Sequence, residues 1–179
     1  MEKLTEDVPK SISPDGNYCF AVMVRSDYGI GAEGHIEVDT FSSDGWRKPM
    51  EIKELILKKF PNSTVCFVNE FPAPKQNYDI LNASVKADET IFLTFSEYVA
   101  YTGTEFITRR FIRLLEALQV TKKISTIIHQ GNPLVLEELP HVPRWILGHT
   151  TMSSLEACLE VLAGEHEAKG VQTCEFELK

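Results

Sequence analysis

Residues 18–24 read YCFAVMV, seven positions with no charge and no polar alternation. A strand with one wet face alternates, so a continuous apolar strand has to be covered on both faces, as in a parallel sheet with helices above and below. Similar runs recur as TVCFV at 64–68, ETIFLTF at 89–95 and KISTIIH at 123–129, with a short RWIL at 144–147. Helical periods lie between them. Pro49 opens one that carries Ile52, Leu55, Ile56 and Phe60 along one side, and Pro61 stops it. After a Pro-rich loop at 71–74, residues 78–86 suggest no more than a short helix. The best-specified helix is expected next, because Phe106, Ile107, Phe111, Leu114, Leu115 and Leu118 make one broad apolar face with Arg109, Arg110 and Arg113 opposite. Thr102 and Glu105 have capping-box spacing ahead of it.

Ser153 and Glu156 repeat that spacing before Leu155, Leu159 and Leu162, and Gly164 stands where a left-handed C-terminal cap belongs. Residues 171–178, VQTCEFEL, alternate cleanly and suit an edge strand. Residues 26–47 are rich in Gly, Asp and Ser and read as a long loop with a short extended piece at 35–38. Strand, helix, strand with right-handed crossovers predicts an α/β fold: a three-layer sandwich around a mostly parallel five- to six-stranded sheet, the last strand free to run antiparallel.

The 179 residues suit a single domain, 1–179, with 1–16 as a lead-in. No run approaches the roughly 20 apolar residues of a membrane span, and the first thirteen residues are too polar for a secretory signal, so a cytoplasmic chain is expected. Lys and Arg total 18 against 26 for Asp and Glu, a net charge of -8 without a segregated basic patch. Neither nucleic acid nor a membrane surface is therefore expected as a partner. Cys19, Cys66, Cys158 and Cys174 form no CxxC pair and read as buried, reduced thiols.

Gly29, Gly31 and Gly34 spell GxGxxG after the first strand. A dinucleotide site needs those glycines to open a helix whose amides face the phosphates, whereas GHIEVDTFSSDG follows without helical period. An irregular glycine loop is expected there, and nucleotide binding by a doubly wound domain is the third-ranked function. Walker and GxSxG motifs are absent. The five histidines are scattered and none has metal-ligand spacing to another His or Cys, so neither metal nor cofactor is expected. His129 and His149 each end a predicted strand, where open α/β sheets bind ligands, although a lone His there is more often structural. Glu97 ends the third strand; Glu33, Asp44 and Glu70 lie on loops, and no catalytic carboxylate pair stands out.

Residues 126–150, TIIHQGNPLVLEELPHVPRWILGHT, resemble the second, α/β sandwich domain of family 3 glycoside hydrolases of the β-N-acetylhexosaminidase type. That domain has a strand running into a Gly-Asn-Pro-Tyr-Val-Leu turn and helix, then a Leu-Pro-x-Val-Pro stretch. Here these are Gly131-Asn132-Pro133-Leu134-Val135-Leu136 and Leu139-Pro140-His141-Val142-Pro143. The resemblance spans about residues 89–163. It implies a TIM-barrel partner domain holding the catalytic residues, a barrel being about 200–400 residues, and no Lys-His-Phe-Pro-Gly stretch of that barrel occurs here. The implied role is a non-catalytic domain that packs on the barrel and lines a sugar cleft with loops around 97–102, 130–132 and 149–151. Glu97, Tyr98, His129, Asn132 and His149 are the rim candidates, and no catalytic residue is carried over. The chain alone is expected to be inactive; the alternative is a stand-alone carbohydrate-binding or protein-interaction module.

Overall fold

The computed structural model describes residues 11–24, 27–30, 36–39, 48–96, 98–99, 103–104, 107–121 and 123–168; at 27–30, 36–39, 98–99 and 103–104 the description is of backbone. In chain order its elements begin with β1 (Tyr18–Val24), β2 (Asp27–Ile30), β3 (Ile36–Asp39), α1 (Pro49–Lys59), β4 (Thr64–Asn69), α2 (Pro74–Lys86) and β5 (Glu89–Ser96). They continue with β6 (Tyr98–Val99), β7 (Gly103–Thr104), α3 (Arg109–Val120), β8 (Ile124–Gly131), a 3-10 helix (Pro133–Glu138), β9 (Arg144–Gly148) and α4 (Met152–Leu162).

All five apolar runs become strands of one sheet, ordered β4-β1-β5-β8-β9 with every pairing parallel. The seven side chains of β1 are buried, as its unbroken apolar run demands. Helices cover both sides, α1 packing beside α4 and α2 beside α3. The register pairs Phe20 with Ile91 and Ala21 with Phe92, so Phe20 and Phe92 point to opposite faces. Phe20 meets Phe60, just past α1, at a centroid distance of 5.4 Å, and Tyr18 meets the same ring edge-on at 5.8 Å. On the other face Phe92 meets Phe111 of α3 edge-on at 5.8 Å. Each half of the core thus has its own aromatic anchor.

Several expectations are corrected. β4 is an edge strand whose first four residues are exposed or half-buried, rather than a buried one. The segment 74–86 is a full helix; its apolar stripe is thin because Ser84 is buried and accepts a hydrogen bond from Thr90 at 2.9 Å, replacing an apolar contact with a polar one. α3 starts at Arg109, beyond Thr102 and Glu105, because the Thr108 hydroxyl accepts from Phe111 N–H at 3.3 Å and donates to the Glu70 carbonyl. α4 is capped by Thr151 instead of Ser153, since Thr151 accepts from Ser154 N–H at 3.1 Å while Ser154 Oγ accepts from His149 N–H at 2.8 Å. The loop at 26–47 contains an antiparallel hairpin, β2 with β3. Residues 171–178 lie outside the described residues.

Gly164 does end α4 in the left-handed region, at φ +76. Its N–H reaches the Val161 carbonyl at 3.0 Å and Glu165 N–H reaches Glu160 at 3.0 Å, the two bonds of a Schellman motif. The lead-in is tied to the same helix end, Ile12 N–H donating to the Leu162 carbonyl at 2.8 Å. Among the described residues no helix is long and apolar enough to cross a membrane.

Because Phe111 is fully buried and anchors α3 to Phe92, Phe111→Ala is expected to cost about 3–5 kcal/mol. Urea unfolding with an unchanged m-value checks this; a loss below about 1 kcal/mol would contradict the packing described.

Candidate functional site at the carboxyl ends of the strands

The strand order makes the chain turn back at one place. From β1 it moves outward to β4, crosses over to β5 on the far side of β1, and then continues to β8 and β9. The crevice beyond the carboxyl ends of β1 and β5 is the topological switch point, where doubly wound sheets bind ligands. Both short hairpins leave from these two strands, β2–β3 after β1 and β6–β7 after β5. Gly29 lies inside β2 opposite Glu37, and the next described element is strand β3 rather than a helix. Among the described residues Gly29 therefore lies within a strand and does not open the helix N-terminus that a pyrophosphate requires; Gly31 and Gly34 lie outside the described residues.

Beside the switch point, β5 and β8 end in polar residues. Thr94 pairs with His129 and Ser96 with Gly131 across the ladder. His129 is 1% exposed, and both its ring nitrogens are engaged. Nδ1 lies 2.9 Å from Thr94 Oγ1; Nε2 lies 3.0 Å from both Ser96 Oγ and the Asn132 carbonyl. A carbonyl only accepts, so the proton sits on Nε2 and Nδ1 accepts from the threonine hydroxyl. Ser96 Oγ accepts from Asn132 N–H at 2.9 Å and donates to the Asn132 carbonyl at 3.2 Å. Burial pushes the imidazole pKa down to about 4, against a smaller upward pull from the Asn132 carbonyl, so His129 is neutral at pH 7.

This network holds the turn after β8. Gly131 adopts φ +120, and a Cβ there would lie 1.7 Å from the Ser96 carbonyl oxygen. Asn132 then caps the 3-10 helix, its Oδ1 accepting from Leu134 N–H at 3.1 Å. Next to His129 on β8, buried Gln130 ties down the loop after β9, donating through Nε2 to the His149 carbonyl at 2.6 Å and the Thr151 carbonyl at 3.3 Å. Gln130 Oε1, Asn132 Nδ2 and, at the end of β4, Asn69 Oδ1 are buried without a hydrogen-bond partner among the described residues.

The rim candidates thus separate. His129 and Asn132 are brought together, but as buried parts of one lock; His149 is exposed on the next loop. Tyr98 is described by its backbone, opposite Thr104 in β6–β7, and Glu97 lies outside the described residues. Gln130 and Gly131 belong to the loop around 130–132 that the sequence already points to; Thr94 and Ser96 are additions, although hydroxyl residues closing an otherwise apolar strand are a legible signal. Two hollows lie away from this lock. A cleft of about 590 Å³ is lined by residues including Ser11, Arg144, Trp145, Val161 and His166; Arg144 begins β9 and Val161 is near the end of α4, so it opens toward the other end of the sheet. A groove of about 400 Å³ runs between α1 and α4, past Leu55 and Met152.

No protein-family model and no curated protein sequence matches the chain. Among solved structures it is similar to a glycoside hydrolase family 3 β-N-acetylglucosaminidase from Paenibacillus sp. str. FPU-7, with a TM-score of 0.60 and 14% sequence identity. The likeness covers 92% of this chain and 28% of the enzyme chain. The two share a fold over that stretch, and this chain spans little more than a quarter of the enzyme's length.

Two outcomes test the lock. Gly131→Ala should cost at least about 1–3 kcal/mol in urea, because an alanine is strained at that φ and collides with backbone. The pH effect follows from a folded pKa below that of an exposed imidazole, about 6.5. The unfolded chain binds a proton there that the folded chain does not, so stability is complete above about pH 6.5 and declines as pH falls toward 4. Between pH 7 and pH 5 wild type should lose about 2 kcal/mol more than His129→Gln. Equal losses would mean that His129 is not held neutral.

Proposed function

We propose that this chain is a non-catalytic α/β sandwich domain of the family 3 glycoside hydrolase type, β-N-acetylhexosaminidase-like, that packs on a TIM-barrel catalytic domain and forms one wall of a sugar cleft. The observation that carries this reading is the fold shared over 92% of this chain with 28% of a β-N-acetylglucosaminidase. The Gly131-Asn132-Pro133 stretch supports it, since the residues that resemble the family's turn are the ones locked at the strand ends.

In this role the rim supplies position rather than chemistry. Its histidine carries its proton toward a carbonyl, its serine is buried, and the exposed His149 stands on a loop held by Gln130 and Ser154. The loops after β5, β8 and β9 would face the sugar, with Glu97, Tyr98, Asn132 and His149 nearest to it. The working location is the cytoplasm.

The chain alone is expected to leave nitrophenyl-N-acetylglucosaminide intact over hours at micromolar protein. Turnover above background that disappears in Glu97→Gln or His149→Gln would overturn the non-catalytic reading. The stand-alone module is separated by titration with N-acetylglucosamine followed by NMR. Saturable shifts of the His149 and Asn132 signals without any barrel present would favour the module.

A further inference from the structure

Helices α1 and α4 lie side by side on one face of the sheet, and both begin at its carboxyl end, α4 directly after the loop that Gln130 pins. They therefore run in the same direction, with the groove of about 400 Å³ between them. Glu51, Glu54, Leu55 and Lys58 line it from α1, an i, i+3, i+4, i+7 stripe along one side of that helix. Met152 and Glu156 line it from α4, one turn apart. Leu55 and Met152 are half-buried, each packing on the core beneath while its remaining surface floors the groove.

The charges on the two walls are not balanced within the domain. Glu51 serves its own helix, as a first-turn carboxylate and as the partner of Lys48 at 3.0 Å. Glu54 and Glu156, one on each wall, are exposed and form no ion pair among the described residues. Lys58 is the one cation among the lining residues and stands in the last turn of α1, away from the end where both helices begin. Exposed glutamates on a helix are usually just solvated; here two of them flank an apolar floor.

We propose that this groove docks a basic amphipathic helix of a partner domain, with an apolar side chain seated on Leu55 and Met152 and a Lys or Arg reaching Glu54 and Glu156. The chemistry of the walls selects that occupant. An acidic helix is repelled, and a wholly apolar one strips water from two carboxylates without replacing it. A basic helix satisfies both, and the unbranched thioether of Met152 adapts to whichever apolar anchor arrives. The identity of the partner rests on the function proposed above: a TIM barrel is ringed by helices, and a barrel held here stands beside the loop after β9, which leads straight into α4.

A second copy of the chain fits the groove less well. Its α3 presents Arg109, Arg110 and Arg113 to solvent, but Arg113 is paired with Glu116 at 2.6 Å and the apolar stripe of that helix is turned into the core. Because α3 lies on the opposite face of the sheet from α1 and α4, such a contact leaves a groove open on each added copy. It builds an open chain instead of a closed dimer.

The test titrates the full chain with a synthetic peptide of about 18 residues, leucine on one helical face and lysine on the other, and follows the backbone amides by NMR. Expected are saturable shifts confined to α1 and α4, weaker binding as salt rises, and at least about tenfold lower affinity when Glu54→Lys is combined with Glu156→Lys. Glu137→Lys with Glu138→Lys makes the same change in net charge at two exposed positions outside the groove, and should keep the affinity within about twofold. A leucine and glutamate peptide of the same period should not bind. No saturable binding, shifts spread over other elements, or equal losses in the two double variants overturn the proposal. So does self-association in sedimentation that Glu54→Lys with Glu156→Lys abolishes, which would give the groove to a second copy. The wild-type shift map decides even where a variant fails to fold. Sugar hydrolysis by the chain is read in a separate assay, so the docking site and the non-catalytic reading fail independently.

Discussion

β1 is laddered on both edges and covered on both faces, and the architecture follows from that requirement. A buried strand leaves no backbone polar group for water, so each N–H and C=O needs a partner strand; β4 and β5 supply them in parallel. Parallel neighbours require crossovers long enough to hold a helix, and the buried side chains on both faces require those helices to divide between two layers. The two aromatic anchors, Phe20 with Phe60 and Phe92 with Phe111, show the division at the level of side chains.

At the carboxyl ends of β5 and β8 this apolar logic gives way to hydrogen bonding. Thr94, Ser96, His129 and Asn132 are all buried, and such groups are tolerated only when paired. Pairing is reached with a neutral imidazole; a charged one would be buried without a described counter-charge. Read by distance alone, Ser96 and His129 at 3.0 Å would pass for a nucleophile and its base. The Asn132 carbonyl decides otherwise, because it needs the Nε2 proton that a base acting on Ser96 would have to lack. The same contacts fix the turn, so the chemistry that silences the histidine is what makes the rim rigid.

Much of the fold was legible because continuous apolar runs leave few alternatives. The five strands, α1, the core face of α3 and the Gly164 cap all follow from periodicity and punctuation. The errors share a physical cause. Local spacing places the caps at Thr102 and Ser153, whereas Thr108 and Thr151 are selected by partners outside that spacing, the Glu70 carbonyl and the Ser154–His149 contact. The period understates α2 because Ser84 substitutes a hydrogen bond from Thr90 for an apolar contact, which no hydrophobic period records. At the site, His129 and Asn132 were visible as residues at a strand end. Their union through Ser96 depends on the β5–β8 register, a tertiary fact.

The rim's construction bears on what such a domain can contribute. Orienting a substrate or a neighbouring domain calls for groups that do not move, and side-chain bonds to backbone on consecutive loops meet that need. His129 and Ser96 pin the turn after β8; Gln130 pins the loop after β9; Thr108 pins the start of α3 to the end of β4. Each clamp commits a side-chain hydrogen-bonding group to backbone. A rim whose histidine, serine and glutamine are all committed to backbone holds its loops in fixed positions relative to the sheet.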